Sequence, residues 1–356
     1  MHRGDLQGAL ELAVEAQRYL GGANDSAARC EVAALKAQVS FFSGSYADAL
    51  SEADLAVSVA DDSRDRDLRI FARRASCVVF GNVGVPDWGQ RLEELLRLSV
   101  DAGDAWEEAI SRNDLACYLQ ETGDLRGAER EIDRALSVAH SVPGRNNFAL
   151  GVLHSTRADI RLLGARPEAA LRDAEAAIAR LLAGGDPNPY VFGVTVRAQV
   201  QARMALGQLD DARESGEGAL AVARTVPGPN NFALGVLHST RADIHLLAGR
   251  PDAALRDAEA SIGRLLEGGE PNPTVLGVTV RAQVQASMAL GQLDDARESG
   301  EGALTWLGDR VPQMRSLILT TLATALRDAG RTEEAYDALQ RACELERQAF
   351  RELSQV

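Results

Sequence analysis

The chain has 356 residues, 46% of them hydrophobic and only 4% aromatic, and no β-branched run alternates over the length a strand requires, so helix is expected almost throughout. Its 52 acidic against 38 basic side chains give a formal charge of −14, which repels phosphate and anionic lipid and argues against nucleic acid or a membrane as a direct partner. The N-terminus lacks the charged start and apolar core of a signal peptide, and no apolar run approaches the roughly 20 residues of a membrane span, so a cytoplasmic protein is expected.

In chain order, the motif Gly4-Asp5-Leu6-Gln7-Gly8-Ala9 reads as a turn followed by a helix, and the pattern returns at Gly44-Ser45-Tyr46-Ala47 and Gly123-Asp124-Leu125-Arg126. A glycine in a left-handed cap ends one helix, a short polar turn follows, and acids at the start of the next helix complement its dipole. Residues 60 to 104 fit least well, because Val85-Pro86-Asp87 stands in place of the glycine turn and Trp88 opens the next helix. Residues 142 to 223 then reappear as residues 226 to 307 with fifteen differences, a tandem duplication. Within each copy the turns at Arg166-Pro167 and Gly207, or at Arg250-Pro251 and Gly291, lie about 42 residues apart, so the unit is a helix pair of about 42 residues. A last turn at Gly330-Arg331-Thr332 follows. Pro227, Pro271 and Pro273 mark loops between pairs. The chain therefore divides into diverged repeats at 1–141, double-repeat cassettes at 142–225 and 226–309, and a terminal repeat at 310–356. After each turn the apolar residues keep helical spacing, as in Ala254, Leu255, Ala258, Ile262 and Leu265. Cys30, Cys77, Cys117 and Cys343 sit singly in such patterns, which suits buried thiols rather than a disulfide framework.

Ala242, Gly249 and Ala254 take the places of the small residue in the first helix, the turn glycine and the alanine early in the second helix of the tetratricopeptide repeat family, which the chain resembles over nearly its whole length. Its large aromatic positions are mostly aliphatic here and the unit exceeds the usual 34 residues, as in a long-repeat bacterial variant. The resemblance implies an all-α, right-handed superhelical solenoid of about eight stacked antiparallel helix pairs, with first helices lining a concave face.

On those first helices, Asn147, Leu150, His154, Arg157 and Arg161 recur at three- and four-residue steps, as do Asn231, Leu234, His238, Arg241 and His245. The next first helices offer Tyr190, Gly193, Arg197 and Gln201, then Thr274, Gly277, Arg281 and Gln285. Arginine and histidine at matched heights on one wall would receive a carboxylate, a phosphate or an acidic peptide; the same stripe is also what solvated residues, or pairs with acids on adjacent helices, would produce. No Cys, His or carboxylate cluster accompanies the histidines at ligand spacing, so neither metal nor cofactor is expected. Gly216-Glu217-Gly218 and Gly300-Glu301-Gly302 lie inside second helices and follow no strand, so close helix packing explains them better than a dinucleotide loop. Asp210-Asp211 and Asp294-Asp295 lie at helix starts, where they oppose the dipole, and catalysis is not expected.

The last helical stripe, Ala335, Leu339, Ala342, Leu345, Ala349, Leu353 and Val356, meets no terminating Gly or Pro. Residues 345–353 resemble the signalling helix that joins such repeats to a diguanylate cyclase in actinobacterial proteins; the alternative is a long helix that only caps the array. The expected function is non-catalytic: a regulatory domain taking a peptide, a protein partner or a small anion in its groove and relaying occupancy through the last helix to an output domain or a homodimer partner. The rival expectation is an assembly scaffold without a small ligand, such as the repeat region of a bacterial transcriptional activator.

Overall fold

The computed structural model describes residues 15, 25–42, 45–83, 85, 87–142, 146–183, 188–225, 231–267, 273–308 and 312–353. The turn expected at Gly4, all of the helix expected after it except Glu15, the turn glycine Gly44, and Pro227 and Pro271 lie outside them. Sixteen helices are present among the described residues, and no strand. They are α1 (Ser26–Phe42), α2 (Tyr46–Ser63), α3 (Arg66–Val83), α4 (Trp88–Ala102), α5 (Ala105–Glu121), α6 (Leu125–Ser141), α7 (Asn147–Leu163) and α8 (Pro167–Ala183), followed by α9 (Pro189–Ala205), α10 (Leu209–Thr225), α11 (Asn231–Leu247), α12 (Pro251–Glu267), α13 (Pro273–Ala289), α14 (Leu293–Leu307), α15 (Pro312–Asp328) and α16 (Thr332–Leu353). None is long and apolar enough to cross a membrane. They form consecutive helix pairs, and the starts of α7 to α10 recur 84 residues later in α11 to α14.

In the second unit the turn between paired helices is built the same way five times. In each, the third residue past the helix donates its N–H to a carbonyl five residues back: Arg166 to Arg161, Gln208 to Arg203, Arg250 to His245, Gln292 to Ser287 and Arg331 to Leu326, at 2.8 to 2.9 Å. That closure needs a left-handed residue just before the donor. Gly207, Gly249, Gly291 and Gly330 supply it with φ of 66 to 78°, and Ala165 does so with φ 54°. Side chains close the other ends: Asp104 accepts from the Trp106 and Glu107 N–H groups, Asp124 from Gly127, and Asn188 from Val191. In the atypical stretch, Arg64 takes the left-handed position with φ 58°, and Trp88 packs on Phe80 with ring centroids 6.3 Å apart.

The chain forms two compact units, Met1–Thr156 and Arg157–Val356, whose boundary falls within α7. In the first unit α1, α2 and α3 enclose Cys30, Ala33, Ala34, Ala56, Ala60 and Ala72, and a second cluster joins Ala37, Ala49, Ala53, Val79 and Phe80. In the second unit α9, α11 and α13 each contact both their own second helix and the next first helix. Where three helices meet, each contributes one fully buried alanine: Ala158, Ala174 and Ala198, and again Ala242, Ala258 and Ala282. Larger clusters surround Leu237 on α9 to α11 and Ile318 on α13 to α16.

The cysteines are all free, but only Cys30 is buried; Cys77 and Cys117 are half-buried and Cys343 is exposed, on the flank of α16 away from buried Ala335, Ala338 and Ala342. Of the expected terminal stripe, Ala335 and Ala342 are buried and Leu345 packs on the core, whereas Leu339 is 46% exposed. The side chains of Ala349, Leu353 and Val356 lie outside the described residues. Close packing explains Gly300, where a Cβ would stand 2.6 Å from Leu322 Cδ1, but not Gly218 or Gly302, which have nothing within 4 Å.

Candidate functional site

The twelve expected site residues do not form one wall. The structure divides eight of them into two sets on different faces of the first helices. In the first set, the side chains point back at the second helix of their own pair. Arg157 donates to both carboxylate oxygens of Asp173 on α8, at 3.0 and 2.7 Å, and Arg161 adds a third bond at 2.6 Å. One duplication later, Arg241 grips both oxygens of Asp257 on α12, at 2.7 and 2.5 Å. His238 Nδ1 lies 3.0 Å from Oδ1 of the same carboxylate and His245 Nε2 lies 3.5 Å from Oδ2. Asp173 and Asp257 are 3% and 5% exposed, so these are interior ion clusters that fasten one helix to the next. His154 is half-buried and its ring meets His140 edge-on at 6.2 Å. Asn147 and Asn231 open α7 and α11, and Leu150 and Leu234 are buried.

Burial opposes ionisation of Asp257, but hydrogen bonds from His238 and Arg241, with the Arg241 charge, outweigh it and hold the carboxyl below its usual range. Burial lowers the His245 pKa, with Arg241 and Arg250 adding to the effect and Asp257 opposing it. The imidazole therefore sits beside a carboxylate yet resists protonation.

The second set lies one residue further round the helix, where consecutive first helices face each other. Gly193 and Gly277 allow the approach: a Cβ on Gly193 would stand 3.2 Å from Ala233 Cα of α11, and one on Gly277 would stand 2.9 Å from Met314 Cβ of α15. One turn further along, Arg197 of α9 pairs with Asp159 of α7 at 3.5 Å, and Arg281 of α13 pairs with Asp243 of α11 at 2.6 Å. Arg281 also donates to Gln285 at 3.0 Å, and Arg197 lies close enough to Asp243 for its charge to be felt there. The result is a ladder, Asp159, Arg197, Asp243, Arg281, crossing four first helices, with Gln201 and Gln285 one turn beyond the arginines. Between 14% and 29% of each ladder side chain remains accessible. Burial raises the pKa of Asp159 and of Asp243, and the arginines only partly offset it. The Tyr190 and Thr274 side chains lie outside the described residues.

Four aspartates thus organise the site, and sequence reasoning singled out none of them. Asp173 and Asp257 carried a signal, since each lies on the stripe of small residues that its helix buries, Ala170, Ala174 and Ala177 or Ala254, Ala258 and Ser261. An acid on such a stripe demands a cation on the facing helix. Asp159 and Asp243 lie off the stripes expected on α7 and α11 and become visible only when neighbouring first helices are aligned. In the first unit a comparable node joins α3 to α5: Arg74 bonds Glu107 at 2.7 Å, Ser111 at 2.8 Å, and Asp114. Burial and the nearby Asp114 push the Cys77 thiol up to about 12, so it is not a nucleophile at neutral pH. Among the described residues no three His, Cys, Asp or Glu side chains converge to hold a metal ion.

No family model and no curated protein matches the chain. Among solved structures it is similar to aspartyl phosphate phosphatase F from Bacillus subtilis, at 15% identity and TM-score 0.60 over 97% of this chain and 90% of that one. It is also similar to a Rap protein complexed with competence and sporulation factor, at 10% identity and TM-score 0.58 over 92% and 99%. A third is a signal-transduction ATPase with a tetratricopeptide repeat sensor from Pyrococcus horikoshii, at 14% identity and TM-score 0.54 over 91% of this chain and 50% of that one. Likeness at these identities is one of fold, and the fold is an all-α array of stacked, tetratricopeptide-like helix pairs.

Proposed function

We propose that the chain is a non-catalytic recognition module that takes a peptide or an extended segment of a protein partner on the first-helix face of its second unit. The observation that supports this reading is the ladder from Asp159 to Arg281. Its alternating, partly accessible charges can exchange internal pairing for pairing with a partner's side chains or main chain, and Gln201 and Gln285 supply neutral donors and acceptors beside them. Interior clusters such as that around Asp257 are too enclosed for this and serve to fix the helices. The Rap structure above is a complex with competence and sporulation factor, which is in keeping with a recognition role for this fold. A small anion held by Arg197 and Arg281 is the narrower form of the reading. Relay through α16 to an output domain of the diguanylate cyclase class, or to a dimer partner, is its regulatory form, and an assembly scaffold lacks both.

The test is selection from a displayed random peptide library on the full chain, followed by the Arg197→Ala/Arg281→Ala variant. Loss of the selected peptides, with helicity unchanged by circular dichroism, supports the first-helix face. Undiminished retention removes it. A thermal shift with phosphate or dicarboxylates but no retained peptide supports the small-anion form.

A further inference from the structure

Between α14 and α16 the second unit carries an open cavity of about 720 Å³ whose floor is the apolar surface of Leu322, Leu326 and Ala338. Its two sides are rails of carboxylates at helical spacing: Asp294, Glu298 and Glu301 on α14, and Glu333, Glu334 and Asp337 on α16. Only two cations line it, Arg297 and Arg341. Six acids against two bases is a much steeper imbalance than 52 against 38 in the chain as a whole. Arg341 pairs with Glu301 at 3.1 Å, and Arg331 reaches Glu334 at 2.5 Å and Asp294 at 3.7 Å. Glu298, Glu333 and Asp337 have no basic partner among the described residues, and they stand on both sides of the floor.

The imbalance is a property of this place and not of the repeat. α10 and α14 are identical from their first leucines, Leu209 and Leu293, through Leu220 and Leu304, so both bring the same acids. With the turn arginines Arg250 and Arg331 aligned, α12 has Asp252, Ala253 and Arg256 where α16 has Glu333, Glu334 and Asp337. The last helix has replaced an alanine and an arginine by two acids on the cavity side.

We infer that this groove docks a basic, amphipathic peptide segment of a partner, with its apolar side chains on Leu322 and Leu326 and its arginines or lysines between the two rails. The volume lies within the roughly 300–1,000 Å³ of cavities that enclose a ligand-sized body, which suits a short segment and not a domain. An apolar floor between like-charged rails excludes an acidic partner by repulsion and gives a purely polar one nothing to bury. The site is separate from the ladder, so each can fail alone.

The probe is a fluorescein-labelled peptide of about sixteen residues with leucines at i, i+4 and i+7 and arginines flanking them, titrated with the full chain by fluorescence anisotropy. Binding should saturate. It should weaken by about tenfold in Glu298→Gln/Glu333→Gln/Asp337→Asn and in Glu334→Ala/Asp337→Arg, which restores the α12 pattern. All these side chains are exposed, so both variants should keep the wild-type circular dichroism and melting temperature. Arg197→Ala/Arg281→Ala should bind the probe as the wild type does, and a peptide with serine for leucine should bind at least about tenfold more weakly. Equal affinity of the wild type and both groove variants, or of the leucine and serine peptides, would overturn the proposal.

Discussion

Asp257 holds three cationic or polar partners in a space almost closed to water, and what each contributes can be separated. Replacing it by asparagine keeps the shape but leaves Arg241 without a counter-charge beside His238 and His245; Asp257→Asn should cost about 3–5 kcal/mol in urea unfolding, the range for breaking a buried pair. Asp173→Asn should behave alike in the earlier copy. The two copies differ at one arm of the cluster, Arg161 against His245, and this yields a pH prediction. Four charged groups bear on His245: Asp257, Arg241, Arg250 and, from α10, Glu217. Its pKa in the fold is depressed, so below about 6.5 the unfolded chain takes up the proton first and the fold loses stability as pH falls. Asp257 acts in the same direction at lower pH: its depressed pKa gives stability that is full above its ordinary value near 3.8 and is lost as pH falls further. His245→Arg restores the Arg161 arrangement and should flatten the stability slope between about pH 5 and 7, measured as urea midpoints, while leaving the more acidic limb in place. A slope unchanged in that variant would assign it elsewhere. These clusters were only half legible in the sequence. Arginines and histidines at helical spacing stand out as a stripe, but which face of the helix they occupy depends on a rotation of one residue, and their aspartates lie on another helix.

At the level of the helix and its turn, the sequence was far more informative, because the turn chemistry is local. Glycine followed by a polar residue and acids predicted a left-handed cap, and Gly207, Gly249, Gly291 and Gly330 all have positive φ. What local pattern missed is that geometry outlives the residue that favours it. The earlier copy has Gly164-Ala165 where the later has Ala248-Gly249, and it is Ala165 that takes the left-handed position. A side chain there costs roughly 1–2 kcal/mol, partly repaid because alanine restricts the unfolded chain, so Ala165→Gly should stabilise by about 0.5–1 kcal/mol and Gly249→Ala should do the reverse. Thermal melts of the two variants give the check. Interior glycines separate in the same manner. Gly300→Ala would drive a Cβ to 2.6 Å from Leu322 and should destabilise by about 1–3 kcal/mol, whereas Gly302 faces open space, so Gly302→Ala should gain up to about 1 kcal/mol from helix propensity. Sequence placed both glycines in one motif; only the packing tells them apart.

For the molecule as a whole, the governing fact is that its apolar interior is divided. In the second unit one cluster lies on α9 to α11 around Leu237 and another on α13 to α16 around Ile318, joined through helices that touch only their neighbours. Stability in such an array is close to a sum of pair stabilities and nearest-neighbour terms, and opening need not spread. Ile318 is fully buried, so Ile318→Ala should cost about 2–5 kcal/mol through lost transfer energy and the cavity left behind. If the interior acted as one body, that loss would lower hydrogen-exchange protection alike at every slow amide of the second unit. The division of the clusters predicts otherwise: amides of α14, α15 and α16 should exchange faster by a factor set by the full loss, while those of α9 to α11 keep wild-type rates. The measurement is native-state exchange read by mass spectrometry on peptides covering each helix. Uniform acceleration across α9 to α16 would mean that the alanine junctions transmit more cooperativity than their size suggests. The recruitment sites proposed above would then respond together, so the same exchange map decides whether occupancy of the α14–α16 groove can be felt at the Asp159 to Arg281 ladder.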